Sequence, residues 1–154
     1  MVISNSYSVR SAQPEDVPGI AMLFAAYRQF YGLPSDNAQL VEFLHARMHA
    51  GDAHILLAVE KSVPVAFTQL YPGWCSLALA RYFILYDLYV DQAHRRKGLG
   101  AQLLTAAAHW ARGQGADRLE LATGVNNKAA QALYRQLGWQ RDHEYYYFNL
   151  PLVR

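Results

Sequence analysis

The sequence has little that would staple, anchor or strongly charge it. A single cysteine, Cys75, stands among 154 residues. One thiol cannot close an internal disulfide, so the fold must rest on burial, and nothing points to an oxidising, secretory environment. No stretch approaches the ~18 apolar residues of a membrane-spanning helix, and Met1 to Arg10 has no apolar run of signal-peptide length. A cytoplasmic protein without membrane partners is expected. Charged residues make up only 17%, and the formal net charge is +2, which argues against a nucleic-acid partner. The six histidines show no metal-ligand spacing. His45 and His49 lie four apart with no third ligand nearby, so no metal is expected. Cys75 has no histidine-containing dyad to make it a nucleophile. No repeat, low-complexity tract or linker interrupts the chain.

What is present suits a globular domain. Hydrophobic residues reach 53%, and a chain of this length can bury roughly two-thirds of its unfolded surface. A single domain spanning 1–154 is expected. Tyr7 to Ala12 reads as a first strand. Pro14-Glu15-Asp16 opens a helix, and Ile20, Leu23, Phe24 and Tyr27 follow at helical spacing. Gly32, Pro34 and Ser35 break it. A second helix covers Ala38 to His49 and ends at Gly51. His54 to Glu60 and Val65 to Tyr71 read as a hairpin turning at Lys61 to Pro64 and closed by Pro72-Gly73. Tyr82 to Val90 is a central strand, Leu99 to Arg112 a strong helix, Arg118 to Thr123 a short strand and Asn127 to Leu137 a last helix before Gly138. Trp139 to Leu150 is expected in β, with Tyr145-Tyr146-Tyr147 inside it. The order is mixed α/β, with helices crossing between strands.

Two constellations carry chemistry. The first is Arg95-Arg96-Lys97-Gly98-Leu99-Gly100, between the strand ending near Val90 and the helix starting near Leu99. A helix start has unpaired N–H groups and partial positive charge, and glycines let a ligand approach, so a diphosphate suits it. A P-loop would need Gly-Lys-Ser/Thr, and a dinucleotide fingerprint a third glycine; neither is present. A plain glycine-containing turn is the competing reading. The second constellation is Asn127, Ala130, Leu133 and Tyr134, followed by Gly138-Trp139. Asn127 and Tyr134 are two helical turns apart on one face. Taken alone, Asn127 suits a helix N-cap and Tyr134 a core aromatic.

Together, in this order and on these elements, the two blocks resemble the GNAT N-acetyltransferase superfamily. Its Arg/Gln-x-x-Gly-x-Gly/Ala loop matches Arg95 to Gly100. Its Asn-x-x-Ala-x-x-Leu-Tyr-x-x-x-Gly-aromatic block matches Asn127 to Trp139. The resemblance extends from about Tyr7 to Leu150. It departs at Gln92, where the family often has Pro, and at Arg96, where it often has Gly. The strand Leu85 to Val90 is also similar to that of the polyamine, histone and D-amino-acid acetyltransferase branch.

The resemblance implies the GNAT acyl-CoA fold, with a mostly antiparallel sheet splayed at the cofactor site and flanked by helices. It implies an acetyl-CoA-dependent N-acetyltransferase, with acetyl-CoA as co-substrate, and a homodimer. Arg95, Arg96, Lys97, Gly98, Leu99, Gly100 and Ala101 would hold the diphosphate. Leu88, Tyr89 and Val90 would bind pantetheine amides and polarise the carbonyl, and Asn127 and Ala130 would meet the pantetheine arm. Tyr134 would protonate the leaving sulfur, since a phenol stays protonated at neutral pH.

The base is open. Asp87 and Glu120 are the candidates, on adjacent strands. Strand alternation expects Leu85, Asp87 and Tyr89 on one face and Tyr86, Leu88 and Val90 on the other. Tyr31 and Asp36, between the first two helices, are candidates to hold the amine with Asp87. A small-molecule amine such as a polyamine or amino acid is the leading acceptor. A lysine-containing peptide or histone is the alternative, and a silent acetyl-CoA-binding module a third reading.

Overall fold

Strand-forming runs and helical stripes alternate along the chain. In the computed structural model, which describes residues 6–152, most elements fall where their patterns place them. The order is β1 (Tyr7–Ser11), a 3-10 turn (Pro14–Asp16), α1 (Val17–Phe30), α2 (Asn37–Ala50), β2 (His54–Glu60), β3 (Val63–Cys75), β4 (Ala80–Val90), a 3-10 turn (Gln92–His94), α3 (Leu99–Gly113), β5 (Ala116–Glu120) and α4 (Lys128–Gln136). The chain forms two compact units, Met1–Ala122 and Thr123–Arg154.

The first unit is a five-stranded sheet in the order β1-β2-β3-β4-β5. The first four strands are antiparallel. The β4–β5 pair is parallel, and α3 supplies the crossover that such a pair requires. Local chemistry explains the boundaries. The Arg10 guanidinium donates to both Asp16 oxygens at 2.6 and 2.8 Å, and Asp16 Oδ2 also accepts from Gln13 N at 2.7 Å, fixing the approach to α1. The side chain of Asp36 caps α2 by accepting from Ala38 N at 2.8 Å. The β2–β3 hairpin turns on Lys61 and Ser62, both left-handed at φ 47° and 70°, as a tight hairpin demands.

Each sheet face carries its own core. On one, α1 and α2 bring Val17, Ile20, Leu40 and Leu44 against Leu57 and Phe67. On the other, α3 buries Leu99, Leu103, Leu104, Ala107 and Ala111. Full burial of each leucine contributes about 1.5–3 kcal/mol. Trp110 of α3 stacks on His54 at 3.7 Å between ring centroids and meets Phe83 of β4 at 4.8 Å.

Two expectations from the sequence are corrected. Pro72-Gly73 does not close the strand, because β3 runs on to Cys75. Beyond Leu70 it pairs with β4 and no longer with β2, so a residue without an N–H is tolerated on that half-open edge. Trp139 to Leu150 does not form a strand. The second unit contains α4 and, among its described residues, no other strand to pair with. The run Tyr145 to Phe148 is exposed, and with no polar alternation it sets no register.

Candidate active site

The site is built on the C-terminal half of β4. β5 pairs with β4 only from Arg81 to Ile84, so Leu85 to Val90 has an open edge on that side. This is the splay expected of the fold. On the other side β4 stays paired with β3 to Val90.

A bulge then corrects the expected alternation. Gln69 of β3 faces Asp87, while the next residue, Leu70, faces Leu85. Tyr86 is therefore the extra residue, and the faces switch across it. Phe83 still points to Trp110 on α3. Asp87 instead turns toward α1, hydrogen-bonded to Gln69 and Tyr27. Tyr89 follows it, 6.0 Å from the Tyr27 ring. Tyr86 lies on this same side, 5.5 Å from Tyr71. Asp87 and Tyr89 thus share a face, as expected, but Leu85 is not with them and Tyr86 is.

Asp87 is 6% exposed. Its carboxylate accepts from Gln69 Nε2 at 3.0 Å, and its backbone carbonyl accepts from Thr68 Oγ1 at 2.8 Å. Burial pushes its carboxyl up from the ordinary value, and the Gln69 and Tyr27 donors pull against that rise. A carboxylate raised toward neutrality is a better-matched proton acceptor. Burial beside this anion also raises the Tyr27 phenol and pushes Tyr71 up to about 12, so both keep their protons at neutral pH.

Glu120, the other candidate base, is engaged elsewhere. Arg118 holds one of its oxygens at 2.8 Å from both Nε and a terminal nitrogen, and the same guanidinium lies 4.6 Å above the Tyr82 ring. In the β4–β5 register Glu120 lies opposite Ile84, not Asp87. Tyr31 caps α1, is 59% exposed and meets Tyr27 edge-on at 5.2 Å. It therefore lies one ring away from Asp87. Asp36 is drawn into capping α2 and lines a cavity of about 240 Å³ with Phe24, Arg28, Leu40 and Phe43. Arg28 is pinned there by Ser35 and the Pro34 carbonyl.

The loop after β4 matches the needs of a diphosphate. Asp91 caps the turn Gln92–His94 through Ala93 N at 3.1 Å and reaches His94 at 2.8 Å. That turn is ordered without the proline often found at position 92 in the family. Gly98 is left-handed at φ +78° with open space where a Cβ would stand. It precedes α3 without any side-chain cap, so the first N–H groups of the helix are left for a ligand. Leu99 is buried beneath. The three cations differ. Arg95 folds back on the Val90 carbonyl at 3.1 Å and over the Tyr89 ring. Lys97 Nζ donates to Tyr7 Oη at 3.0 Å. Arg96 is exposed and holds φ +61°. A left-handed backbone explains why glycine is common at this position in the family. These groups fit the diphosphate of a CoA thioester.

In the second unit, Asn127 Oδ1 accepts from Ala130 N at 3.2 Å and caps α4. Tyr134 lies about two turns further along, its ring 6.0 Å from that of Trp139. Among the described residues no group of three or more His, Cys, Asp or Glu is placed to hold a metal, and no helix is long and apolar enough to cross a membrane.

Gln69 is the residue that sequence reasoning missed. The signal was there: Thr68-Gln69 interrupts an otherwise apolar strand from Val65 to Tyr71, and a polar pair in such a run calls for buried partners.

A splayed parallel seam leading into an uncapped, glycine-opened helix is the framework of an acyl-CoA-dependent N-acetyltransferase. The chain belongs to the Acetyltransferase (GNAT) family, which matches residues 20–139. It is 40% identical over 146 residues to an uncharacterized N-acetyltransferase of Bacillus subtilis, covering 94% of this chain and 98% of that one. It is 32% identical over 143 residues to an L-methionine sulfoximine/L-methionine sulfone acetyltransferase of Pseudomonas paraeruginosa, covering 88% and 81%. A solved probable acetyltransferase superposes with a TM-score of 0.90 at 34% identity, covering 96% of this chain and 99% of the other.

Proposed function

We propose that this enzyme acetylates the primary amine of a small molecule of amino-acid or polyamine type, with Asp87 taking the amine's proton and Tyr134 protonating the leaving sulfur. The observation that carries this reading is the nearly buried Asp87 carboxylate on the open half of β4, beside the Tyr27 ring that Tyr31 meets edge-on. The relative that acts on methionine sulfoximine and sulfone supports an acceptor of amino-acid size.

An alkylammonium is only about 0.1% neutral at pH 7.4, so a proton acceptor is needed. Asp87 takes that proton, and the burial that raises its carboxyl makes the ionised form a stronger acceptor than an exposed carboxylate. Tyr31 and Tyr89 offer π faces to the cation before it is deprotonated. Arg96 and the backbone N–H groups at Gly98 to Ala101, with Arg95 and Lys97 flanking, hold the diphosphate. Leu88 to Val90 present backbone groups to the pantetheine arm. When bound, acetyl-CoA supplies a thioester carbonyl as the electrophile. Tyr134 holds a proton at Oη for the sulfur.

The test is Asp87→Asn, assayed for acetyl-CoA binding and for transfer to a turned-over amine. Loss of turnover by at least two orders of magnitude with cofactor affinity intact is expected. An unchanged rate removes Asp87 from the mechanism.

A further inference from the structure

Three polar side chains are buried among the described residues, Thr68, Gln69 and Asp87, and they form one cluster. Thr68 binds the Asp87 backbone. Gln69, fully buried, binds the Asp87 side chain. Its Nε2 lies 3.0 Å from Asp87 Oδ2 and 2.7 Å from Tyr71 Oη, which uses both of its hydrogens. Its Oε1 is buried with no partner. Buried amide oxygens are normally satisfied, and leaving one bare is disfavoured. A leucine or methionine would fill the same volume without that penalty, so packing alone does not account for an amide here.

The proton on Asp87 does account for it. An ionised carboxylate only accepts, so it needs a donor and the amide must present Nε2. A neutral carboxyl has a hydrogen to give. With the amide turned over, Oε1 takes the place of Nε2 and accepts from both Asp87 and the Tyr71 hydroxyl. The two ends of an amide have nearly the same shape, so both orientations fit one cavity. Each leaves one end unpaired, and the charge on Asp87 decides which.

We propose that Gln69 is a positioning residue whose amide turns over with the protonation state of Asp87, donating to it when ionised and accepting from it once it has taken the amine's proton. This rests on the reading of Asp87 as the proton acceptor. Gln69 touches no reacting atom and acts through that carboxylate. The other groups facing the pair are Tyr27 from α1, itself joined to Tyr31, and Tyr71 from β3. Tyr86, Arg47 and Asp52 act on Tyr71 from further out. No cation faces Asp87 directly among the groups that perturb it, so the Gln69 and Tyr27 donors are what hold its charge.

The experiment is an NMR titration of the intact protein. It follows the Asp87 side-chain carboxyl carbon and the Gln69 side-chain amide, alongside pH profiles of kcat/KM for wild type, Gln69→Met and Gln69→Glu. In the unaltered protein the amide resonances are expected to titrate with the Asp87 midpoint. Removing the donor in Gln69→Met should raise that midpoint by about one pH unit. The acid limb should follow, giving about a tenfold loss of kcat/KM on the limb that alkaline pH recovers. Gln69→Glu should raise it further, since two adjacent carboxyls share a proton. Amide resonances that stay fixed through the Asp87 titration overturn the proposal even if neither variant folds, as does an unmoved midpoint in a folded variant. The underlying reading fails separately: an acid limb that persists in Asp87→Asn shows that another group accepts the proton, whatever Gln69 does.

Discussion

Replacing Arg96 with glycine should make the protein more stable and its cofactor binding weaker, two effects of opposite sign from one residue. Arg96 holds φ +61°. A side chain in the left-handed region costs about 1–2 kcal/mol, which glycine avoids. Glycine also loosens the unfolded chain, which takes back about 0.4–1 kcal/mol. The net gain is about 0.5–1 kcal/mol, and for a chain of this size that raises Tm by about 1–4 °C. The binding effect goes the other way. Arg95 is folded onto Val90 and Lys97 is held by Tyr7, so Arg96 is the cation most available to a phosphate. Losing one exposed charge-assisted contact should cost about 1–1.4 kcal/mol, or five- to tenfold in the Kd for CoA. Arg96→Ala separates the two, because it loses the charge and keeps the strain: its affinity should fall as far, with no rise in Tm. Thermal unfolding without ligand and calorimetric CoA titration at two salt concentrations measure both. An unchanged Tm in Arg96→Gly refutes the strain argument. Unchanged CoA affinity in both variants refutes the placing of Arg96 on the phosphates.

Other consequences are as direct. Tyr134→Phe should keep acetyl-CoA affinity and slow turnover by about one to two orders of magnitude, as the loss of a general acid does; a normal single-turnover rate excludes Tyr134 as that acid. Gly98→Asp should abolish CoA binding, by placing a negative side chain at φ +78° in the path of the phosphates, and equilibrium dialysis checks this. Burial, with Trp110 covering the ring, lowers His54 from 6.5 to about 4. The folded state therefore resists a proton that the unfolded chain accepts. The contribution is complete above pH 6.5 and is lost as pH falls from there toward 4. His54→Phe, which keeps a ring on Trp110, should flatten the slope of urea-unfolding free energy across that window.

Much of this was legible in the sequence because the deciding forces are local. The α3 stripe, the Gly51 stop and the turn at Lys61–Ser62 follow from spacing and backbone preference. The proposed phosphate loop is a candidate visible in the sequence because glycine, cation and helix start must adjoin there to act together. The face of Asp87 was not. Strand alternation assumes unbroken pairing, and the bulge at Tyr86 is set by how β3 and β4 meet across space. Nor did the pattern show that Arg95 and Lys97 have protein partners, since Val90 and Tyr7 reach them only through the fold. Trp139 to Leu150 misled for a related reason. Aromatic residues favour strands only where a partner strand exists, and α4 offers none.

The most direct test of the account is release of CoA thiol from acetyl-CoA against free amino acids, polyamines, aminoglycosides and a lysine-rich peptide. Saturable turnover with a free amino acid or polyamine, and weak turnover with the peptide, is the predicted result. Turnover confined to the peptide, or acetyl-CoA bound without transfer to any of these amines, would contradict it.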